Sequence, residues 1–330
     1  DELFIRRDVT KEVDALLPRV EQDLDAMIRV IRQKKSPEVP IGPHCSDPFE
    51  CPLEYLCWAF LPEDNPTTLY RVRTEKAFDL IQQGVTSITQ LPSDFTFTGN
   101  QQIQAGCARS KKPHIDRNAL REFLAKLEHP LCFLDFETFG TAVPLFDGGS
   151  PYQQVPFQFS LHIEEKPGGP LLHHGFLAAG RSDPRGEFLE ALQPVLGDRG
   201  SVIAYNASFE LGKLNELAEL FPSSRRWYEQ IASRTVDLLE PFRSFAYYHP
   251  LQHGSASIKN VLPALTGSGY ENMAIAEGGQ ASNEYLRITF GSVTVEERTA
   301  VRRRLEEYCS LDTEGMARIV GELKRLVSGT

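Results

Sequence analysis

The sequence predicts an α/β fold: a mixed five-stranded sheet flanked by helices, preceded by a mostly helical N-terminal region that contains cysteines. Three observations lead there. Compact apolar runs of strand length cluster after residue 130, helical periodicities alternate with the later ones, and a long amphipathic helix closes the chain.

The chain has 330 residues, long enough for two domains. Its 41% hydrophobic and 24% charged content is ordinary for a globular protein. A formal charge of −10 argues against coating nucleic acid by general attraction. It leaves room for an enzyme that gathers Asp and Glu around metal ions. No apolar run has the length of a bilayer span, and no charged-then-apolar leader opens the chain. No membrane partner is therefore expected. Six cysteines without a secretory signal fit a reducing, cytoplasmic setting. The first residue is Asp1 rather than Met, as in a piece of a longer protein.

Residues 9–33 read as an amphipathic helix, with Val13, Leu16, Leu17, Val20, Leu24, Met27 and Ile31 at helical spacing. A Pro- and Cys-containing loop follows to about 65. Residues 75–92 predict a helix ended by Gly84 and a short second element, either a DNA-contacting helical hairpin or a plain connector. The stretch 93–117 is polar, weakly periodic, and expected to be a linker. These features divide the chain at 1–70, 71–117 and 118–330. Two basic patches, Arg71, Arg73 and Lys76, then Arg109, Lys111 and Lys112, are either substrate contacts or solvated faces.

From 118 the texture changes. A helix bearing Leu120, Phe123, Leu124 and Leu127 leads into "PLCFLDFET", a buried strand. "FQFSLHI" (157–163) and "LLHHGFLA" (171–178) are two more. Asp183 and Pro184 start a helix as N-cap and first helical residue. "SVIAY" (201–205) is a fourth strand running into a helix with Leu211, Leu214 and Leu217, and "TVDLL" (235–239) is a fifth. The last helix spans about 296–327.

Asp135 and Glu137 alternate at the end of the first strand, so their carboxylates project to one side. Such charge is costly unless solvated, paired or metal-bound. Glu210 falls in the first turn of the helix after "YNASF", and Tyr308 and Asp312 share a face of the last helix, four residues apart. Asp237 is a possible auxiliary carboxylate, with a salt-bridged strand residue the favoured reading.

Together these motifs resemble the DEDD (DnaQ-like) 3′–5′ exonuclease superfamily, in its tyrosine subgroup. That family has Asp-x-Glu on a first strand, Asn-x-x-Phe-Asp after a later one, and Tyr four residues before a final Asp. The resemblance covers about 200 residues. It implies a ribonuclease H-like domain in which Asp135, Glu137, Glu210 and Asp312 bind two Mg²⁺ or Mn²⁺ ions. Tyr308 would orient or help deprotonate the attacking water, while Thr138, Asn206 and Lys259 would contact the 3′ end of DNA or RNA. Ser255, Ser257 and Lys259 equally fit an ordinary polar loop. Glu210 stands where the family usually has Asp, so a nucleic-acid-end binding module with a weakened site is the alternative. More closely, "LDFETFGTAVPLFDGGSPYQQVPFQFSLHI", "GSASIKNVLPAL" and "YCSLDTEGM" resemble a bacterial family known as domain of unknown function 2779.

His44, Cys45, Cys51 and Cys57 form a compact group of potential ligands. It is similar to the C-terminal cysteine triplet of iron–sulfur nucleases, although the spacing is longer than their Cys-x2-Cys. A [4Fe–4S] cluster would take its fourth ligand from His44, Cys107 or a residue outside the chain. Zn²⁺ on three Cys and one His, or three unligated thiols, are the other readings. The opening helix resembles the segment after a RecB-like nuclease core, which implies such a domain upstream in a parent protein.

Overall fold

The structure, a computed structural model, describes residues 5–35, 37–92, 94–270, 273, 275 and 278–329. It comprises two compact units, residues 1–60 and 61–330. The helical segment expected as a separate connector, 71–117, falls within the second. No helix among the described residues is long and apolar enough to cross a membrane.

The first unit is built on α1 (Thr10–Ile31), whose predicted apolar stripe forms a helix with no buried residue. After it come a 3-10 turn, Pro43–Cys45, and a single helical turn, Glu54–Cys57.

The second unit opens with α2 (Thr74–Gln82), closed by Gly84 at φ +87°, and a 3-10 turn, Ile88–Gln90. The expected linker is instead α3 (Gly99–Ser110), started by a capping box between Thr98 and Gln101. Its inner face consists of Gln101, Gln104, Ala105, Cys107 and Ala108, small or polar residues that give almost no apolar period. Gln104 is fully buried. It accepts the Tyr70 N–H (2.7 Å) and donates to the Thr68 carbonyl (2.8 Å), so its polarity satisfies backbone rather than solvent. Gly254, at φ +79°, fits against the same carbonyl; a Cβ there would lie 2.0 Å from the Thr68 oxygen. A two-residue ladder, 114–115 with 247–248, follows α3. Then Asp116 caps α4 (Arg117–Leu124) by accepting the N–H groups of Asn118 and Ala119.

The main sheet consists of β1 (Leu131–Phe139), β2 (Val155–Glu164), β3 (Leu171–Leu177), β4 (Ser201–Ala204) and β5 (Thr235–Asp237), in the order β3-β2-β1-β4-β5. β2 lies between β1 and β3 and pairs antiparallel with each, while β4 runs parallel to β1 and β5 parallel to β4. The connecting helices are α5 (Arg185–Leu196), α6 (Ser208–Leu220) and α7 (Arg225–Ser233). α8 (Ile258–Thr266), α9 (Gly278–Phe290) and the 34-residue α10 (Val295–Ser328) complete the unit.

Strand alternation sorts the core into two layers. On one face Leu131, Phe133 and Ile203 pack under α4, α8 and α10 through Leu120, Val261, Leu262, Met316 and Ile319. On the other, Cys132, Leu134, Phe136 and Leu161 pack against Phe188, Leu192, Leu214 and Ile231 of α5 to α7. Because parity is kept along β1, Asp135 and Glu137 project to the side covered by α8 and α10. The strand runs two residues beyond Glu137, through a register shift between Glu137 and Thr138, so the two carboxylates lie within it rather than at its end.

Candidate metal centre

Three elements deliver acidic side chains to one place. β1 supplies Asp135 and Glu137. β4, parallel to β1, ends beside it and turns through Asn206 (φ +74°, a conformation Asn tolerates) into α6, whose third residue is Glu210. α10 crosses the same face and supplies Asp312 and, one turn earlier, Tyr308. All five line one cleft of about 580 Å³, together with Thr138, Asn206 and Lys259. The cleft thus gathers Asp135, Glu137, Glu210, Tyr308 and Asp312 with Thr138, Asn206 and Lys259, and leaves out the auxiliary candidate Asp237. It lies where the carboxyl ends of β1 and β4 meet, the usual place for ligands on open α/β sheets.

Glu137, Glu210 and Asp312 are 7%, 4% and 7% exposed, and Asp135 is partly buried. Desolvation dominates their chemistry. It pushes Asp135 well above the usual carboxylate range, with Asp312, Glu210 and Glu137 adding like-charge repulsion and the Cys309 thiol opposing it. Burial, then Asp312, pushes Glu137 up to about 8 against the pull of the Lys259 ammonium. Glu210 is also pushed up to about 8, by burial and by Asp237. Asp312 rises only to about 6, because a hydrogen bond from Tyr270 and the charge of Lys259 offset its burial. Glu210 Oε2 is buried without a hydrogen-bond partner. Ligand atoms of Asp135, Glu137 and Cys309 lie within 4.8 Å of one another, while Glu210 and Asp312 line the same cleft outside that group. A desolvated, mutually repelling set of hard carboxylate oxygens with one orphan among them fits a divalent cation such as Mg²⁺ or Mn²⁺.

The remaining polar groups hold this wall in place. Thr138 Oγ1 donates to Gln154 Oε1 (2.8 Å), and Asn206 Oδ1 accepts from Ser208 Oγ (3.3 Å). The Lys259 ammonium lies 5.8 Å from the centre of the Tyr308 ring. Among the described residues Asp237 has no salt-bridge partner, and it is not in the cleft lining. Its Oδ1 accepts the N–H groups of Asn206 (2.9 Å) and Leu239 (3.0 Å), fixing the β4–α6 turn. Ser257 caps α8 by accepting the Lys259 N–H, and Ser255 Oγ accepts the Ser257 N–H, so of these three only Lys259 reaches the cleft. The basic patches do not line it either: Arg71 stacks on Tyr70, Lys76 on Phe95, and Lys111 pairs with Asp64.

Two site residues escaped the sequence reading. Tyr270, in the connection between α8 and α9, donates its hydroxyl proton to Asp312 Oδ1. Cys309, fully buried, turns its thiol to Asp135 Oδ2 at 3.9 Å. The second was readable, since Cys309 precedes Asp312 by three positions on one helix. The first carried no signal.

The N-terminal cysteines behave differently. Cys45 is buried, Cys51 half-buried and Cys57 exposed. Among the described residues, these thiols and His44 do not close into a group of ligand atoms like that of Asp135, Glu137 and Cys309. The one contact joining them is backbone, the Cys51 N–H to the Cys45 carbonyl (2.8 Å). Cys107 is a core thiol packed with Phe245 and Tyr248, its pKa raised by burial.

The chain is similar to the "Uncharacterized protein MG366 homolog" of Mycoplasma pneumoniae, 25% identical over 222 residues, 61% of this chain and 33% of that protein. It is 24% identical over 237 residues to "Uncharacterized protein MG366" of Mycoplasma genitalium, covering 66% and 35%. It is also 24% identical over 230 residues to "Uncharacterized protein UU173" of Ureaplasma parvum serovar 3, covering 62% and 33%. The chain spans about a third of the length of these relatives. No solved structure matches it. The family described as "Domain of unknown function (DUF2779)" matches residues 132–257, a span that contains Asp135, Glu137 and Glu210. Over that segment the chain is similar to the DUF2779 family.

Proposed function

We propose that residues 118–330 form a ribonuclease H-like, DEDD-type exonuclease domain that removes nucleotides from the 3′ end of DNA or RNA. The sheet supports this reading: three antiparallel strands followed by two parallel ones, with the Asp-x-Glu strand in the middle. The observation that carries it is the convergence of Asp135, Glu137, Glu210 and Asp312, from three separate elements, on one cleft that raises all four pKa values. Structural ion pairs would place cations among them; among the described residues lining the cleft, Lys259 is the one Lys or Arg.

In this reading the four carboxylates hold two divalent cations. When bound, these supply the charge that activates a water and stabilises the leaving 3′ oxygen. The protein contributes position. Parallel pairing of β1 with β4 sets Glu210 opposite Asp135, and the one-turn spacing on α10 aims Tyr308 and Asp312 into the same space. Tyr308 keeps its proton, since burial and the surrounding carboxylates push its pKa up, so it serves as a hydrogen-bond donor that orients water. Lys259 and Asn206, both in the cleft lining, would hold the terminal phosphate and sugar. The alternative, an end-binding module with a weakened site, rests on the longer arm of Glu210. The position of that residue in the cleft wall, acting electrostatically on Asp135, favours the active site.

The test is direct. With Mg²⁺ or Mn²⁺ the purified chain is expected to shorten a 5′-labelled single strand from its 3′ end, and Asp135→Asn or Asp312→Asn to abolish this. Matched DNA and RNA oligonucleotides that both stay intact would overturn the hydrolase assignment; retained 3′-end binding would then favour the binding module.

A further inference from the structure

Tyr270 lies in none of the motifs that mark the acidic site, yet its hydroxyl donates a hydrogen bond to Asp312 Oδ1. The two are 42 positions apart. The Tyr270 ring is partly buried between two core layers. It packs with the group around Val261, Leu262 and Met316 and with the group around Tyr285, Leu305 and Tyr308. Its centre lies 6.4 Å from that of Tyr308 at an interplanar angle of 52°. A ring held on both sides is a fixed donor, and the proton it gives occupies one oxygen of Asp312, leaving the other for the cleft.

We propose that Tyr270 is a positioning residue: it locks the Asp312 carboxylate in the rotamer that presents its free oxygen to a divalent cation. This rests on the metal-centre reading of the cleft. The opposite arrangement, in which Tyr270 competes with the cation for Asp312, predicts the reverse effect on affinity, and the geometry disfavours it. The hydrogen bond involves only Oδ1, whereas an aspartate bridging to a cation needs only one oxygen. Groups that orient a metal-binding side chain in this way typically matter by roughly 10- to 100-fold in metal affinity. Tyr308 has no comparable contact: its ring faces Lys259 and its hydroxyl makes no hydrogen bond to Asp312 among those described.

The experiment is a Mn²⁺ titration of the full chain, followed by the electron paramagnetic resonance signal of the free ion. Tyr270→Phe removes the hydroxyl and keeps the ring. It is expected to weaken Mn²⁺ binding by about 10-fold or more. In an Asp312→Asn background, Tyr270→Phe is expected to add no further loss, because the coupling has nothing to act through. Thermal melting without cation separates this from damage to the fold, and the Asp312→Asn pair gives the same answer if the single variant melts early. Unchanged or tighter Mn²⁺ binding by Tyr270→Phe, or an equal further loss in the Asp312→Asn background, would overturn the positioning role. A wild-type chain that takes up no Mn²⁺ would overturn this inference and the metal reading beneath it.

Discussion

Cys309 turns its thiol toward Asp135 Oδ2 at 3.9 Å, across 174 positions of sequence. That contact lies where α10 crosses β1. Asp312, one turn further on, lies over the same strand face as Asp135 and Glu137. The acidic cleft follows from two periodicities: the alternation of a strand and the turn of a helix laid across it.

Glu210 is the residue on which activity turns. As a ligand it must ionise in the cleft, so Glu210→Gln is expected to cut cation-dependent cleavage by about 100-fold or more, as loss of a metal-holding group does. Glu210→Asp, which shortens the arm by one methylene, is expected to keep activity within about tenfold of wild type. Initial rates on a labelled oligonucleotide check both; equal activity in Glu210→Gln would show that Glu210 holds no cation.

Stability should depend on pH in an unusual direction. Glu137 and Glu210 keep their protons up to about 8 in the folded chain, against 4.5 for an ordinary glutamate. Between those values the folded state binds more protons than the unfolded one, so the stabilisation is fully present below the ordinary value and is lost as pH rises through the folded value. Melting of the EDTA-treated chain is expected to move down in temperature from about pH 5 to about pH 9. Mg²⁺ or Mn²⁺ should reverse this most strongly at the alkaline end, because cations compete with those protons. A cation-free melting temperature that climbs over this range would contradict the buried, protonated carboxylates.

Lys259 lowers the pKa of both Glu137 and Asp312. Removing its charge with Lys259→Met is therefore expected to raise the pH at which cation uptake is half complete. Titrations of wild type and variant across pH measure the displacement; a shift to lower pH would contradict the placement of the ammonium.

The α3 helix tests the second unit as a folded body. Gln104→Leu would leave the Tyr70 N–H and the Thr68 carbonyl unpaired. At roughly 1–3 kcal/mol for each buried group left without a partner, the variant is expected to lose about 2–6 kcal/mol in urea unfolding. A loss no larger than that of an exposed substitution would show that α3 is not held there.

The strands and the acidic residues were legible because each is a local signal. "PLCFLDFET" is too apolar to lie outside a core, and its alternation already put Asp135 with Glu137. The spacing of Tyr308 and Asp312 declared a shared helix face in the same way. What sequence could not show lay in polar burial. α3 reads as a linker because its inner face is Gln, Ala and Cys, and the role of Gln104 exists only once Thr68 and Tyr70 are beside it. Asp237 reads as a charge seeking a counter-ion but is satisfied by two backbone N–H groups. Tyr270 sits among Gly and Ser with no period to mark it, and its partner is a helix away. The cysteine triplet shows the converse, since closeness in sequence did not bring Cys45, Cys51 and Cys57 to ligand distance among the described residues.

The claim beneath all of this is that the cleft holds divalent cations on Asp135, Glu137, Glu210 and Asp312. Calorimetric titration of the EDTA-treated chain with Mn²⁺ measures it most directly. The account predicts uptake of about two ions per chain, lost in Asp135→Ala and accompanied by proton release that grows as pH falls toward neutrality. Absence of uptake, or uptake that Asp135→Ala leaves intact, would contradict it.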